Sequence, residues 1–247
     1  MLNVGRKEIG IHNFAVRLLG VITMILALIG YMKGYGSESL YAFRWTSFTL
    51  FAFLLVEGVF HSSDKVLYLR RFIVFGLISE VLYDYSRLGR FWSTRYQSVM
   101  ATLLLCLILM MVLQFIKSRY NNLVFNMILV AVLGAACCII AERYRFEFGM
   151  QGVLIVIMFY IARLVSYPRI LELAFFFYMA FFMKDNEIVR YISIGGLQYP
   201  IAAQLYCLIA LPFIWLYDDT RGPNKLGLQI AQYLAYPVML VLIILIK

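Results

Sequence analysis

The sequence predicts an all-α fold: a polytopic transmembrane helical bundle of about eight or nine spans, forming a single integral membrane domain over residues 1–247. Three observations predict it. Of the 247 residues, 64% are apolar. Only 14% are charged, against about 25% in ordinary soluble domains. The apolar runs are long and frequent, with short stretches between them. A soluble core of this size would need far more polar side chains to cover it.

Taken in order, the first apolar run covers residues 14–32. A polar start through His12 precedes it, and it is long enough to span, so no cleavable signal peptide is expected. Residues 45–60 and 67–82 form the second and third runs, joined through a turn at 62–65 into a helical hairpin. The fourth and fifth cover 99–116 and 123–141, and the sixth covers 150–165. A shorter, aromatic seventh covers 170–183, and its run of Phe175, Phe176, Phe177, Tyr178, Phe181 and Phe182 suits lipid contact or core packing. The eighth and ninth cover 201–217 and 230–246. Several fall short of the roughly 20 residues that cross a bilayer unaided, which points to local thinning, re-entrant packing or burial between neighbours.

The net charge is +9. The cations sit mostly in short loops, where they suit anionic headgroups or a cytosolic polyanion. No zinc, homeodomain or RNA-recognition pattern accompanies them, so no nucleic acid partner is expected. A slight excess of Lys and Arg falls on the inner segments if the N-terminus is cytoplasmic, which is the expected orientation. Cys106, Cys137, Cys138 and Cys207 all lie inside apolar runs without metal-ligand spacing, and read as small buried hydrophobes. No metal site is expected.

The chemistry is concentrated between Arg44 and Asp84. Two apolar runs there carry Glu57, His61, Glu80 and Asp84, with Arg70 and Arg71 between them. A charged residue at a helix centre costs roughly 2.5–3.5 kcal/mol on insertion scales, so a cluster of them marks a site or a set of ion pairs. Glu57 and His61 share a helix face, as do Glu80 and Asp84. The hairpin places Glu57, His61, Arg70 and Arg71 at its closed end, where a basic turn could hold the phosphates of a cytosolic cofactor. It places Arg44, Glu80 and Asp84 at its open end, where they could orient an acceptor or carry protons. A purely structural reading pairs Glu57 with Arg70 and Arg44 with Asp84. Elsewhere, the charged stretch at 142–147 reads as a solvated loop, residues 217–222 as a turn, and Glu172 as a partner of Arg169. No serine–histidine–aspartate set and no glycine-rich nucleotide loop is present.

The segment FAFLLVEGVFHS, followed by YLRRFIVFGLISEVLYD, resembles the core signature of the TraX family. Weaker likeness runs through ITMILALIG, YQSVMATLLL, EFGMQGVLIV, LPFIWLYDDTRG and LAYPVMLVLIILI. The resemblance implies a polytopic protein of the bacterial inner membrane, related to transmembrane acyltransferases that take acetyl from cytosolic acetyl-CoA. On that pattern Glu57, His61, Glu80 and Asp84 are candidate catalytic residues, and Arg70, Arg71 and Arg44 candidate contacts for acetyl-CoA.

The chain also departs from the pattern. The family's first span carries an Asp-His pair before Ile-Gly, where this chain has Ala27 and Leu28. The closing motif carries a His where this chain has Met239. The family's Asp-Tyr-Gly appears as Glu147, Phe148 and Gly149. Acetyl transfer to an amine or hydroxyl normally needs a base, and a histidine titrating near neutrality suits that role. Leucine and methionine exchange no proton. Three functions therefore stand: an acyltransferase working through altered residues, a degenerate non-catalytic subunit of a polysaccharide, conjugation or secretion assembly, and a small transporter. The transporter is disfavoured by the scarcity of Gly and Pro breaks. Partners implied are the lipid bilayer and an assembly partner or a second copy of the chain.

Overall fold

The computed structural model describes residues 12–34, 36–62, 64–120, 122–182, 188–194, 197–218 and 226–246. Their element order is α1 (Asn13–Lys33), α2 (Glu38–Tyr41), α3 (Phe43–His61), α4 (Lys65–Leu88), α5 (Val99–Arg119), α6 (Leu123–Arg143), α7 (Gly149–Ala162), α8 (Pro168–Phe182), β1 (Ile188–Ile194), β2 (Leu197–Ala202), a 3-10 helix (Ala203–Ala210), α9 (Leu211–Trp215) and α10 (Leu226–Ile246).

Among the described residues, four stretches are long and apolar enough to cross a membrane: Asn13–Lys33, Glu38–His61, Val99–Arg119 and Val124–Arg143. Helix α4 has the length as well, at 24 residues, but carries the charges of the candidate site. Shorter apolar helices, Gly149–Ala162, Ala203–Trp215 and Leu234–Leu245, complete the bundle. Polar caps start several of these helices. Asp64 accepts from Leu67 N at 2.8 Å, and Ser98 and Asn122 serve α5 and α6 in the same way. Gly89, at φ +66°, closes α4 in the left-handed conformation that glycine adopts without penalty.

Helix α3 is the hub. It is buried along nearly its whole length, from Trp45 to Val59. Helix α1 lies against it closely: Ser47 Oγ donates to the Gly20 carbonyl at 2.9 Å, and a Cβ at Gly20 would meet the Phe51 ring at 3.1 Å. Thr46 Oγ1 donates to the Tyr206 carbonyl at 2.7 Å, tying the 3-10 helix to the opposite side. On the periphery the apolar residues of α6, such as Val124, Ile128, Val132 and Ile139, are exposed and meet lipid. The aromatic run on α8, expected to suit either lipid contact or core packing, is split between a buried and an outward face, with Phe176 fully buried and Phe177, Tyr178, Phe181 and Phe182 outward.

The expected eighth span is not one helix. Its first residues finish β2 of an antiparallel hairpin, in which Ile194 pairs with Leu197. The chain then runs as the 3-10 helix and switches to α-helix at Leu211. Pro212 sits in the first turn of α9, where its missing N–H breaks the ladder with the preceding turn. The expected turn at 217–222 is described only through Asp218, whose Oδ2 lies 3.1 Å from His12 Nδ1. Its remaining residues lie outside the described residues, as do Arg6, Lys7, Lys184, Lys225 and Lys247, which bear on the expected orientation.

Candidate ligand-binding site

A cavity of about 340 Å³ opens between α1, α3, α4, α5 and α10. One stripe of α1 faces it, from Arg17 through Met24 and Leu28 to Tyr31. These positions recur about every seven or three to four residues, so they share a helix face. Arg17 and Tyr31 stand about 21 Å apart along the axis, so the cavity runs through most of the bundle's thickness. Its charged lining is three guanidinium groups, Arg17, Arg44 and Arg87, against one carboxylate, Glu147. Tyrosines gather at the Arg44 end: Tyr31, Tyr41 and Tyr83 all reach the cavity. Arg87 Nη1 donates to the Tyr83 hydroxyl at 2.5 Å and its guanidinium stacks on Tyr96 at 4.3 Å. The Arg44 guanidinium lies 4.7 Å from the Tyr41 ring and 5.4 Å from the Phe148 ring.

Ala27, Leu28 and Met239, remote from one another in sequence, all line this one cavity. So do Glu147 and Phe148. Every position at which the chain departs from the resembled motifs therefore bears on the same space. No histidine reaches it. The chain has two: His12 sits beside Asp218, and His61 ends α3 at the far side from Arg44.

The stretch expected as a solvated loop at 142–147 is solvated only in its first half. Residues 142–145 are exposed, while 146–150 turn inward. Glu147 N donates to the Gln97 carbonyl at 3.0 Å, and Thr102 Oγ1 donates to the Glu147 carbonyl at 2.7 Å. Two non-glycine residues bracket the carboxylate in left-handed conformation, Arg145 at φ +51° and Phe148 at φ +65°. Each such residue costs on the order of 1–3 kcal/mol and persists only where packing enforces it. The enforcement is visible: the Phe148 ring stacks on Phe48 at 4.2 Å and meets Trp45 edge-on at 4.8 Å. Gly152 makes room, since a Cβ there would stand 2.8 Å from Phe148 Cβ and 3.0 Å from Phe48 Cζ.

The residues singled out between Arg44 and Asp84 separate. Only Arg44 lines the cavity. Glu57 is 2% exposed and accepts from Arg163 Nη2, with His61 Nδ1 3.5 Å from the same carboxylate oxygen. The pairing of Glu57 with Arg70 is thus replaced by one with Arg163, which caps the end of α7. Arg70 is exposed and Arg71 half-buried on the next position of α4. Glu80 accepts from Ser98 N at 3.1 Å. Asp84 is 1% exposed and accepts from Ser93 N at 2.6 Å. Both carboxylates thus hold the connection between α4 and α5, and Arg44 stacks on aromatic rings where a pair with Asp84 was expected. Glu172 accepts from Trp215 Nε1 at 2.6 Å, while Arg169 donates to the carbonyl of the same tryptophan at 3.3 Å. Glu57, Arg163, Arg169 and Glu172 surround a second, smaller cavity of about 270 Å³, in which each carboxylate already has a donor.

Sequence reasoning missed Arg17, Arg87 and Arg163. A signal existed for the first, because a lone arginine within the opening apolar run is by default functional. None existed for Arg163, 106 positions from its partner. Among the described residues, no three or more His, Cys, Asp or Glu side chains are grouped to hold a metal ion.

Chemically, the large cavity can bind an anion at its arginine-lined ends and hydrocarbon in its middle. Its one carboxylate is close enough to Arg87 and Tyr83 for its charge to act on both. Compared with known protein families, the chain matches the family described as TraX protein over residues 14–247. No curated protein and no solved structure matches it.

Proposed function

Because the chain belongs to the TraX family, we propose that it keeps the ligand-binding part of an acyl-transfer architecture without the proton-transfer part. It is a multi-pass protein of the bacterial inner membrane, N-terminus in the cytoplasm, that holds an anionic, acyl-bearing ligand as a non-catalytic subunit of an envelope assembly. One observation carries this reading. Ala27, Leu28 and Met239 converge on a cavity that retains Arg17, Arg44 and Arg87. Binding groups are kept where bases are replaced by hydrocarbon. The experiment is a thiol-release assay with acetyl-CoA and the full chain in detergent. No release above a protein-free control is expected, together with co-purification of a membrane partner. Release of CoA thiol would overturn the non-catalytic reading.

Glu147 favours a second reading. It is a carboxylate at the mouth of the cavity, and it could deprotonate an acceptor for acetyl transfer from acetyl-CoA. Arg87, close enough for its charge to act on Glu147, competes with an acceptor for the carboxylate, which ranks this reading below the first. Under it, thiol release occurs and Glu147→Gln abolishes it.

A further inference from the structure

We propose that the large cavity binds one single-chain lipid with a phosphate head. The proposal rests on the reading that the cavity binds rather than transforms its ligand, and it names the class of that ligand. Three features carry it.

The first is the wall. Ala27, Leu28 and Met239 replace proton-exchanging groups and join Phe51, Leu55 and Ile243. The middle of the cavity is therefore mostly hydrocarbon, and the Ser47 hydroxyl that reaches it is already committed to the Gly20 carbonyl. A polar chain lying there would forfeit its hydrogen bonds to water without replacement, whereas an alkyl or prenyl chain loses nothing.

The second is the head. Arg44 and Arg87 stand at one end with the hydroxyls of Tyr31, Tyr41 and Tyr83. Guanidinium forks match the oxygens of a phosphate in pairs. The Arg44 and Arg87 planes are already set by stacking on Tyr41 and Tyr96, so little freedom is lost when the anion arrives. Glu147 at the same end disfavours a second negative group beyond the phosphate.

The third is the shape. About 340 Å³ drawn out along four turns of α1 is the form of one hydrocarbon chain, not of a nucleotide. Helix α1 packs on α3 and touches α10, and α10 in turn packs on α4, the facing wall, where Met24, Tyr83, Tyr236 and Leu240 meet. The outer residues of α1, including Leu18, Ile22, Ile25 and Ile29, are exposed to lipid.

The test is native mass spectrometry of the full chain released from neutral detergent, with octyl phosphate, butyl phosphate, inorganic phosphate and octanol added below micelle-forming concentrations. One octyl phosphate per chain is expected, held at least tenfold tighter than butyl phosphate, with no adduct from octanol and no competition from inorganic phosphate. Arg44→Gln with Arg87→Gln should weaken octyl phosphate at least tenfold, and Met239→Gln about threefold. Equal retention of octanol would overturn the proposal. So would affinity independent of chain length, or displacement by inorganic phosphate alone. These ligand comparisons on the unaltered chain decide the question even if a variant fails to fold. Thiol release from acetyl-CoA would count against the non-catalytic reading alone, leaving the lipid result to stand or fall by itself.

Discussion

The two ends of α3 handle charge in opposite ways. At the Glu57 end the carboxylate is 2% exposed and closed off by Arg163 and His61. At the Arg44 end Arg44, Arg87 and Glu147 face an open space whose far end is lined by Arg17. Both arrangements put ionised groups among apolar helices, where isolated charge is unfavourable. One is satisfied inside the protein and fixes α3 against α7. The other lines a cavity with more guanidinium groups than carboxylates among the described residues. Buried charge in this chain is therefore a poor guide to function until its partners are known. The residues whose charges are already matched are the less promising ones.

The largest expected effect tests the closed end. Glu57→Ala leaves the Arg163 guanidinium without its carboxylate, and breaking such a pair costs about 3 kcal/mol. Unfolding in mixed micelles should show it, with ligand retention by the folded fraction unchanged. A loss of retention without a loss of stability would erase the contrast between the two ends. Next, Gly152→Ala forces a methyl group against Phe148 and Phe48. Overpacking of this kind costs about 1–3 kcal/mol, and here it should also displace Glu147 and weaken ligand retention. Asp84→Ala removes the acceptor of Ser93 N. A charge-assisted hydrogen bond contributes about 1.5–3 kcal/mol, but this one holds a partly exposed loop, so the lower figure applies. Faster hydrogen exchange at residues 90–97, with retention unaltered, is the expected signature. The smallest effect is Glu147→Gln. It removes the one negative group among three positive ones, so an anionic ligand should bind a few-fold tighter, about 0.5–1 kcal/mol at an effective dielectric typical of protein sites. Weaker binding would reverse the sign of the electrostatic argument.

Much of the bundle was legible because hydrocarbon length is a local property. The runs that became α1, α3, α5 and α6 announce themselves residue by residue. Less legible was the hairpin of β1 and β2. Its signal, Gly195 and Gly196 between two runs rich in Ile, Val and Tyr, was masked by the apolar stretch that follows. The candidate site was legible in one unexpected respect. The positions that mattered were those at which a familiar motif is missing, and Ala27, Leu28 and Met239 meet in space although more than 200 positions separate the first from the last. The conspicuous charges misled, because pairing is decided by tertiary contact. Nothing near Glu57 in sequence names Arg163, and nothing near Asp84 says that it faces a loop.

The left-handed pair around Glu147 has a consequence for biogenesis. Arg145 and Phe148 adopt that conformation only sparsely on a free chain, and Phe148 is held there by rings belonging to α3. Helix α3 is made and inserted well before residue 148 leaves the ribosome. The corner between α6 and α7 must then click shut against a surface already waiting, so the mouth of the cavity is finished late and serves as a checkpoint on the correct seating of everything before it.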